Sequence, residues 1–228
     1  MLPRAMLRLV EIFNSIQGEG THSGLPCAFV RLAACNLRCG YCDTPYSFGK
    51  GEKRTVESVL QEVDAFGVRH VCITGGEPML QLEEVTRLME SFVQRNYTVL
   101  LETNGTISLA SIPEQVVKVM DVKTPDGLGM APDDERFLRT HLDYSNLDLL
   151  TTRDEVKFVV TSRADYEWSR EFVEQHGLRM RCGQILFSPS WSELEPSQLV
   201  EWILEDRLAV RVNLQLHKYV WGPETAGV

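Results

Sequence analysis

The sequence has no apolar run approaching the roughly 18–20 residues that span a bilayer. It also has no run of about five to eight basic residues, and its net charge of −9 is opposite in sign to the electrostatic footprint of a nucleic-acid binder. Neither a membrane protein nor a nucleic-acid-binding module is expected. Met1 to Val10 carries two arginines but no continuous apolar core and no small-residue cleavage site, so no secretory leader is expected there. Low-complexity tracts and residue-level repeats are absent too. These absences point to a cytoplasmic enzyme or binding protein. In that reducing compartment, clustered cysteines signal a metal or catalysis more often than disulfides.

What is present is enough apolar material for a full core, 43% of 228 residues. That length fits one α/β domain or two small ones. Short runs rich in Val, Ile, Leu and Phe predict strands at Leu7–Ile12, Ala28–Leu32, His70–Thr74, Val99–Glu102, Val117–Val122, Val156–Val160, Gln184–Ser188 and Arg211–Leu214. Helices are predicted at Val56–Phe66, Leu82–Gln94, Pro132–His141, Ala164–Gln175 and Pro196–Glu205, the last with a first-turn proline. Alternating strands and helices read as βαβ units on a parallel sheet. A complete eight-fold barrel takes about 250 residues, so a short barrel and a doubly wound sheet both remain open. Asp43–Arg54 and Thr124–Pro132 look irregular, and Gly222–Val228 looks like a loose tail. In either fold, ligands collect where strands end at their carboxyl termini.

Cys35, Cys39 and Cys42 follow a predicted strand, three thiols within eight residues. No fourth cysteine lies nearby, and His22 is the one neighbouring histidine, upstream. A structural zinc site closes with four protein ligands. Three cysteines instead suit a 4Fe–4S cluster with one iron left open to a small molecule. A zinc knuckle or three unrelated thiols are the plainer alternatives. Cys27 and Cys72 read as buried small hydrophobes, while Cys182 says nothing by itself. Gly75-Gly76-Glu77-Pro78 follows a strand, and two glycines there let backbone approach a ligand closely. Glu102-Thr103-Asn104-Gly105-Thr106 and Asp121-Val122-Lys123 also end strands. Lys157 and Ser188 are weaker candidates.

The Cys-x-x-x-Cys-x-x-Cys spacing resembles the radical S-adenosylmethionine (SAM) superfamily. The resemblance implies that SAM binds the open iron through its amino and carboxylate groups. An electron from the cluster then cleaves SAM to methionine and a 5′-deoxyadenosyl radical that abstracts hydrogen. It implies an incomplete or modified parallel (β/α) barrel, here a single domain over 1–228 with a cluster loop at about 33–54. Phe13-Asn-Ser-Ile16-Gln17-Gly18-Glu19-Gly20, Gly24-x-Pro26, Phe29-x-Arg31-Leu32, Cys42-Asp43-Thr44 and Gln215-Leu-His217-Lys218-Tyr219 narrow the resemblance. Together they are similar to the 7-carboxy-7-deazaguanine synthase family over most of the chain.

That family turns 6-carboxy-5,6,7,8-tetrahydropterin into 7-carboxy-7-deazaguanine with loss of ammonia, toward queuosine and other deazapurines. The resemblance implies SAM contacts at Tyr41, Cys42, Asp43, Gly76, Glu102 and Asp121, Val122, Lys123. It implies pterin contacts at Ile16, Gln17, Gly18, Arg31 and Thr74, and a Mg²⁺ contact at Thr44. Glu19 suits the pterin's ring N–H groups, and the Arg31 guanidinium suits its carboxylate. A homodimer and a flavodoxin- or ferredoxin-like electron donor are also implied. Two departures stand out. Tyr41 replaces the tryptophan of many relatives, and Asp121-Val122-Lys123 stands where many carry Ser-Pro-Lys. An Asp-x-Lys element also occurs in activases of glycyl-radical enzymes, which keeps that class open. An electron carrier or a zinc-stabilised binding module is a third, non-enzymatic possibility.

Overall fold

The structure is a computed structural model that describes residues 6–228, so the first half of the Met1–Val10 stretch lies outside the described residues. Its strands are β1 (Met6–Ile16), β2 (Pro26–Leu32), β3 (Glu52–Thr55), β4 (His70–Gly75), β5 (Thr98–Thr103), β6 (Val117–Asp121), β7 (Glu155–Val160), β8 (Gln184–Pro189) and β9 (Arg211–Val212). Its helices are α1 (Val56–Ala65), α2 (Leu82–Gln94), α3 (Pro125–Leu128), α4 (Glu135–Thr140), α5 (Arg163–Gln175), α6 (Pro196–Glu205) and α7 (Leu216–Trp221). Among the described residues one sheet holds all nine strands in the order β3-β1-β2-β4-β5-β6-β7-β8-β9. Every pairing from β2 to β9 is parallel, while β1 runs antiparallel to both β2 and β3. With β3 and β9 on free edges the sheet does not close.

Burial decides between the two architectures that the sequence left open. Ala28, Val30 and Leu32 of β2, Val71 and Ile73 of β4, and Val156, Phe158 and Val160 of β7 share one core with α1, α2, α5 and α6. Among the described residues the opposite face has no long helix. Its floor is a small cluster of Cys27, Phe29, Cys72, Leu100 and Val117, with Phe13 beside it. A doubly wound sheet would carry helices on both faces. One helical face and one hollow face make an incomplete parallel (β/α) barrel. The apolar runs that marked the strands are thus buried mainly on the helix side. Their inner side chains become polar toward the carboxyl ends, where Arg31, Thr74, Glu102, Asp121 and Lys157 line a cavity.

The local signals account for most boundaries. Thr55 caps α1 by accepting from Ser58 N, and Ser162 caps α5 by accepting from Asp165 N. Pro196 opens α6 as expected. The helix predicted from Pro132 starts only at Glu135, because Asp134 accepts from the amides of Arg136 and Phe137 and sets the cap there. Three elements were missed, one of them α3, a single turn inside the Thr124–Pro132 stretch read as irregular. β3 sits inside and just beyond the stretch read as irregular; Glu-Lys-Arg-Thr carries an edge strand's charges, without apolar alternation. α7 is six residues long and buries Lys218, so it has no apolar stripe to find.

Candidate active site

The cavity opens at the carboxyl ends of β2 and β4 to β7, and the cluster loop forms one wall. Cys35, Cys39 and Cys42 all line it, unpaired and half-exposed, whereas Cys27, Cys72 and Cys182 are buried. Burial raises the Cys35 thiol and pushes Cys39 up to about 11 against the pull of Lys123. Among the described residues, no three His, Cys, Asp or Glu side chains converge on a single-ion position. The thiols are thus not spaced as a mononuclear metal site, while three accessible donors on one loop suit a larger cluster.

Gly75 and Gly76 serve this loop in a way the sequence did not reveal. A Cβ on Gly75 would lie 2.4 Å from Leu32 N, and one on Gly76 would lie 2.0 Å from the Ala34 carbonyl oxygen. The room at Gly75 is filled by the end of β2, and the room at Gly76 by the start of the cluster loop. Glu77 N donates to Ala34 O at 2.8 Å, which locks the contact. The Glu77 carboxylate is fully buried and accepts from Met79 N, Thr103 Oγ1 and Asn104 N, tying the ends of β4 and β5 together. Burial raises its pKa, opposed by those three donors.

Beyond the thiols lies a chain of buried charges. Asp121 Oδ2 accepts from Lys123 Nζ at 2.9 Å and from Lys157 Nζ at 3.0 Å. Lys157 Nζ also donates to Glu19 Oε2 at 2.7 Å, and Gln215 Nε2 donates to Glu19 Oε1 at 2.9 Å. Burial pushes both carboxylates upward, but the lysines outweigh it and hold Asp121 and Glu19 below the usual carboxylate values. Among the described residues Asp121 Oδ1 and the Tyr41 hydroxyl are buried without a hydrogen-bond partner, and Lys123 lies over the Tyr41 ring at 5.3 Å. Such orphans call for a ligand that donates and accepts hydrogen bonds. SAM, with an amine, a carboxylate and ribose hydroxyls, has the matching chemistry, so the residues present fit a cluster carrying SAM.

The remaining expected residues form a second group. Gln17 is buried, its Nε2 donates to Glu102 Oε1 at 3.4 Å, and Thr74 Oγ1 donates to Glu102 Oε2 at 2.7 Å. Glu102, expected beside SAM, thus has its carboxylate on Gln17 and Thr74, the residues expected to hold pterin. Gly18 packs against His217, leaving 2.1 Å between a hypothetical Cβ and Nδ1. Ile16 lines the cavity next to them. Arg31 donates from Nε to Glu11 Oε1 at 2.6 Å, and Tyr46 donates to the same oxygen at 3.0 Å. The two terminal nitrogens of Arg31 have no hydrogen-bond partner among the described residues. Thr44 Oγ1 lies 3.9 Å from Cys42 Sγ and makes no capping hydrogen bond to the turn that follows.

Two candidates fall outside. Val122 does not line the cavity; its side chain is in the helix-side core, because alternation along the strand turns it away from Asp121 and Lys123. Ser188 is spent on the Asn213 carbonyl. The stretch expected to be loose has no helix or strand after Trp221, yet Pro223 to Val228 line the cavity. Glu11, Glu77 and Lys218 were missed as site residues, since their meaning depends on partners distant in the chain.

The radical SAM superfamily model matches residues 30–203, and with this barrel and cysteine loop it defines a radical SAM protein. That membership entails a 4Fe–4S cluster and SAM. Over 97% of this chain, the 7-carboxy-7-deazaguanine synthase of Koribacter versatilis is 43% identical and covered along its whole length. The synthase of Chlorobaculum tepidum is 41% identical, with both chains covered in full. The chain belongs to the 7-carboxy-7-deazaguanine synthase family. The crystal structure of QueE from Escherichia coli superposes with a TM-score of 0.73 over 93% of this chain and 95% of that one; at 21% identity it speaks for the fold.

Proposed function

We propose that the protein is a radical SAM lyase that converts 6-carboxy-5,6,7,8-tetrahydropterin to 7-carboxy-7-deazaguanine with loss of ammonia. The observation that carries this reading is one cavity that joins the three cluster thiols to a carboxylate-and-amide wall, with Arg31 holding two free nitrogens. Relatives above 40% identity bearing the synthase name support it over a glycyl-radical activase, for which Asp-x-Lys was the one pointer. They also leave no support for an electron carrier or a zinc module.

When bound, the cluster and SAM supply one-electron reduction and hydrogen-atom abstraction; the chain supplies position and electrostatics. Arg31 takes the substrate carboxylate through its terminal nitrogens while Glu11 fixes its Nε. Gln17, Thr74, Glu102 and Glu19 read the amide and amino edge, with Glu19 kept ionised by Lys157. Ile16 and Gly18 shape the floor of that subsite. Tyr41, Cys42, Asp43, Gly76, Asp121 and Lys123 form the SAM side, and Val122 contributes backbone alone, its N–H donating to Lys157 O. The Thr44 hydroxyl, which caps no turn and has the Cys42 sulfur 3.9 Å away, supports a Mg²⁺ contact shared with substrate, because Mg²⁺ keeps several waters and needs few protein ligands.

A single domain, a homodimer, a flavodoxin- or ferredoxin-like electron donor and a cytoplasmic location complete the proposal. No helix among the described residues is long and apolar enough to cross a membrane. The deciding experiment is an anaerobic assay of reconstituted protein with SAM, reductant, Mg²⁺ and the carboxytetrahydropterin. Deazaguanine product is expected; SAM cleavage without it would refute the substrate.

A further inference from the structure

His217-Lys218-Tyr219 stood out in the sequence, yet the reading above gives Lys218 no task. α7 is built inside out. Tyr219, Val220 and Trp221 are about half exposed, while Lys218 is 7% exposed. Burying an ammonium is costly and is weak evidence for stability alone. Its Nζ lies 3.0 Å from Asp43 Oδ2, in the cluster loop between Cys42 and Thr44. The Asp43 side chain is 39% exposed, so the pair is buried on the lysine side alone.

The same segment grips the turn that faces the pterin. Asn213 Oδ1 accepts from Gly20 N at 2.8 Å, and Leu216 N donates to Gly18 O at 2.9 Å. Gln215 Nε2, at 2.9 Å from Glu19 Oε1, also reaches Asp43 Oδ2 at 3.5 Å. Residues 213–218 therefore touch the pterin turn with backbone and amide groups, and the cluster loop with the Lys218 ion pair and the Gln215 amide. A six-residue helix has little stability of its own and takes its place from such anchors.

We infer that Lys218 is a positioning residue: its ion pair with Asp43 fixes the cluster loop against the C-terminal segment that also holds the pterin turn. Without it the loop between Cys39 and Thr44 loses its one charged tie to that segment, and the SAM side of the cavity loosens. The inference rests on SAM as the cofactor and not on the pterin as substrate. Failure of the substrate assay therefore leaves its test unchanged.

The test uses Lys218→Met, Lys218→Arg, Asp43→Asn and the Lys218→Met/Asp43→Asn double variant in the full chain. Hydrogen exchange of cluster-free protein reads the loop, and equilibrium dialysis of SAM with anaerobically reconstituted protein reads the site. Lys218→Met is expected to speed exchange in peptides covering 36–48 several-fold and leave β4 to β7 unchanged. It should weaken SAM binding about ten-fold at equal iron content, between the values for an exposed and a fully buried charge pair, as suits one buried on the lysine side alone. Lys218→Arg should restore both. In loop exchange, Asp43→Asn should add little once Lys218 is gone. Additive increases in loop exchange from the two single variants, or unchanged exchange and affinity in Lys218→Met, would overturn the assignment. Should Lys218→Met fail to fold, Asp43→Asn alone decides: faster exchange over 213–221 upholds the tie, and no change there refutes it.

Discussion

Replacing Lys157 with methionine removes the cation that joins the two halves of the buried charge chain. Lys157 donates to Glu19 at 2.7 Å and to Asp121 at 3.0 Å, and its side chain is 11% exposed. The partners suffer unequally. Asp121 keeps Lys123 at 2.9 Å, whereas Glu19 is left with the amides of Gln215 and Asn213. Losing one partner of a buried pair costs about 3–5 kcal/mol. Against a typical total of about 5–15 kcal/mol, that is a large fraction. Most of the loss should sit at Glu19. Lys157→Met/Glu19→Gln should therefore recover more than half of it, because the uncompensated charge is gone.

The pH dependence gives a second, independent sign. In the wild type the pKa values of Glu19 and Asp121 lie below their unfolded values. Their contribution is present above the unfolded carboxylate pKa of about 4 and is lost as pH falls through the folded values. In Lys157→Met, burial of Glu19 is no longer opposed by its largest attraction, so its folded pKa should rise above the unfolded one. Its contribution then reverses: it destabilises at pH 7 and is relieved as pH falls toward the raised value. Urea unfolding of the cluster-free protein at pH 5 to 8 measures both effects. The stability gap between mutant and wild type should narrow toward pH 5. A loss below about 1 kcal/mol at pH 7, or a gap that does not change with pH, would refute the account of this network.

Alanine at Cys35, Cys39 or Cys42 should abolish cluster-bound iron and SAM cleavage, while Cys72→Ala and Cys182→Ala keep iron near normal; Cys42→Ala with full iron would contradict the site. Arg31→Ala should weaken pterin binding by about 1.5–3 kcal/mol, read by dialysis, with the cluster and slow uncoupled SAM cleavage intact. Thr44→Val should lose most of the Mg²⁺ stimulation of turnover seen in wild type, at fixed SAM and saturating pterin; equal stimulation in both would move the metal elsewhere. Gly76→Ala places a Cβ 2.0 Å from Ala34 O and must displace the cluster loop, so iron per chain should fall even though no ligand is changed. Normal iron content there would show that the loop tolerates the shift.

The chemistry of this protein was legible in its residues because that information is local. Three thiols in eight residues, the glycines after β4 and the Gln17–Gly20 turn are each contiguous, and β-branched runs mark most strands. Local sequence could not choose between a barrel and a doubly wound sheet, since both are built from the same βαβ units. That choice rests on which face each helix covers, a matter of packing. Nor could it locate β3 and α7, whose pairing and anchoring supply what their composition lacks. The roles of Gly76, Glu77, Lys157 and Lys218 needed tertiary structure for the same reason. Gly76 makes room for Ala34, Glu77 holds Asn104, Lys157 joins Glu19 to Asp121, and Lys218 holds Asp43. Each of these partners lies tens of residues or more away in the chain, and only the closed fold lets a buried charge or a missing side chain find its meaning.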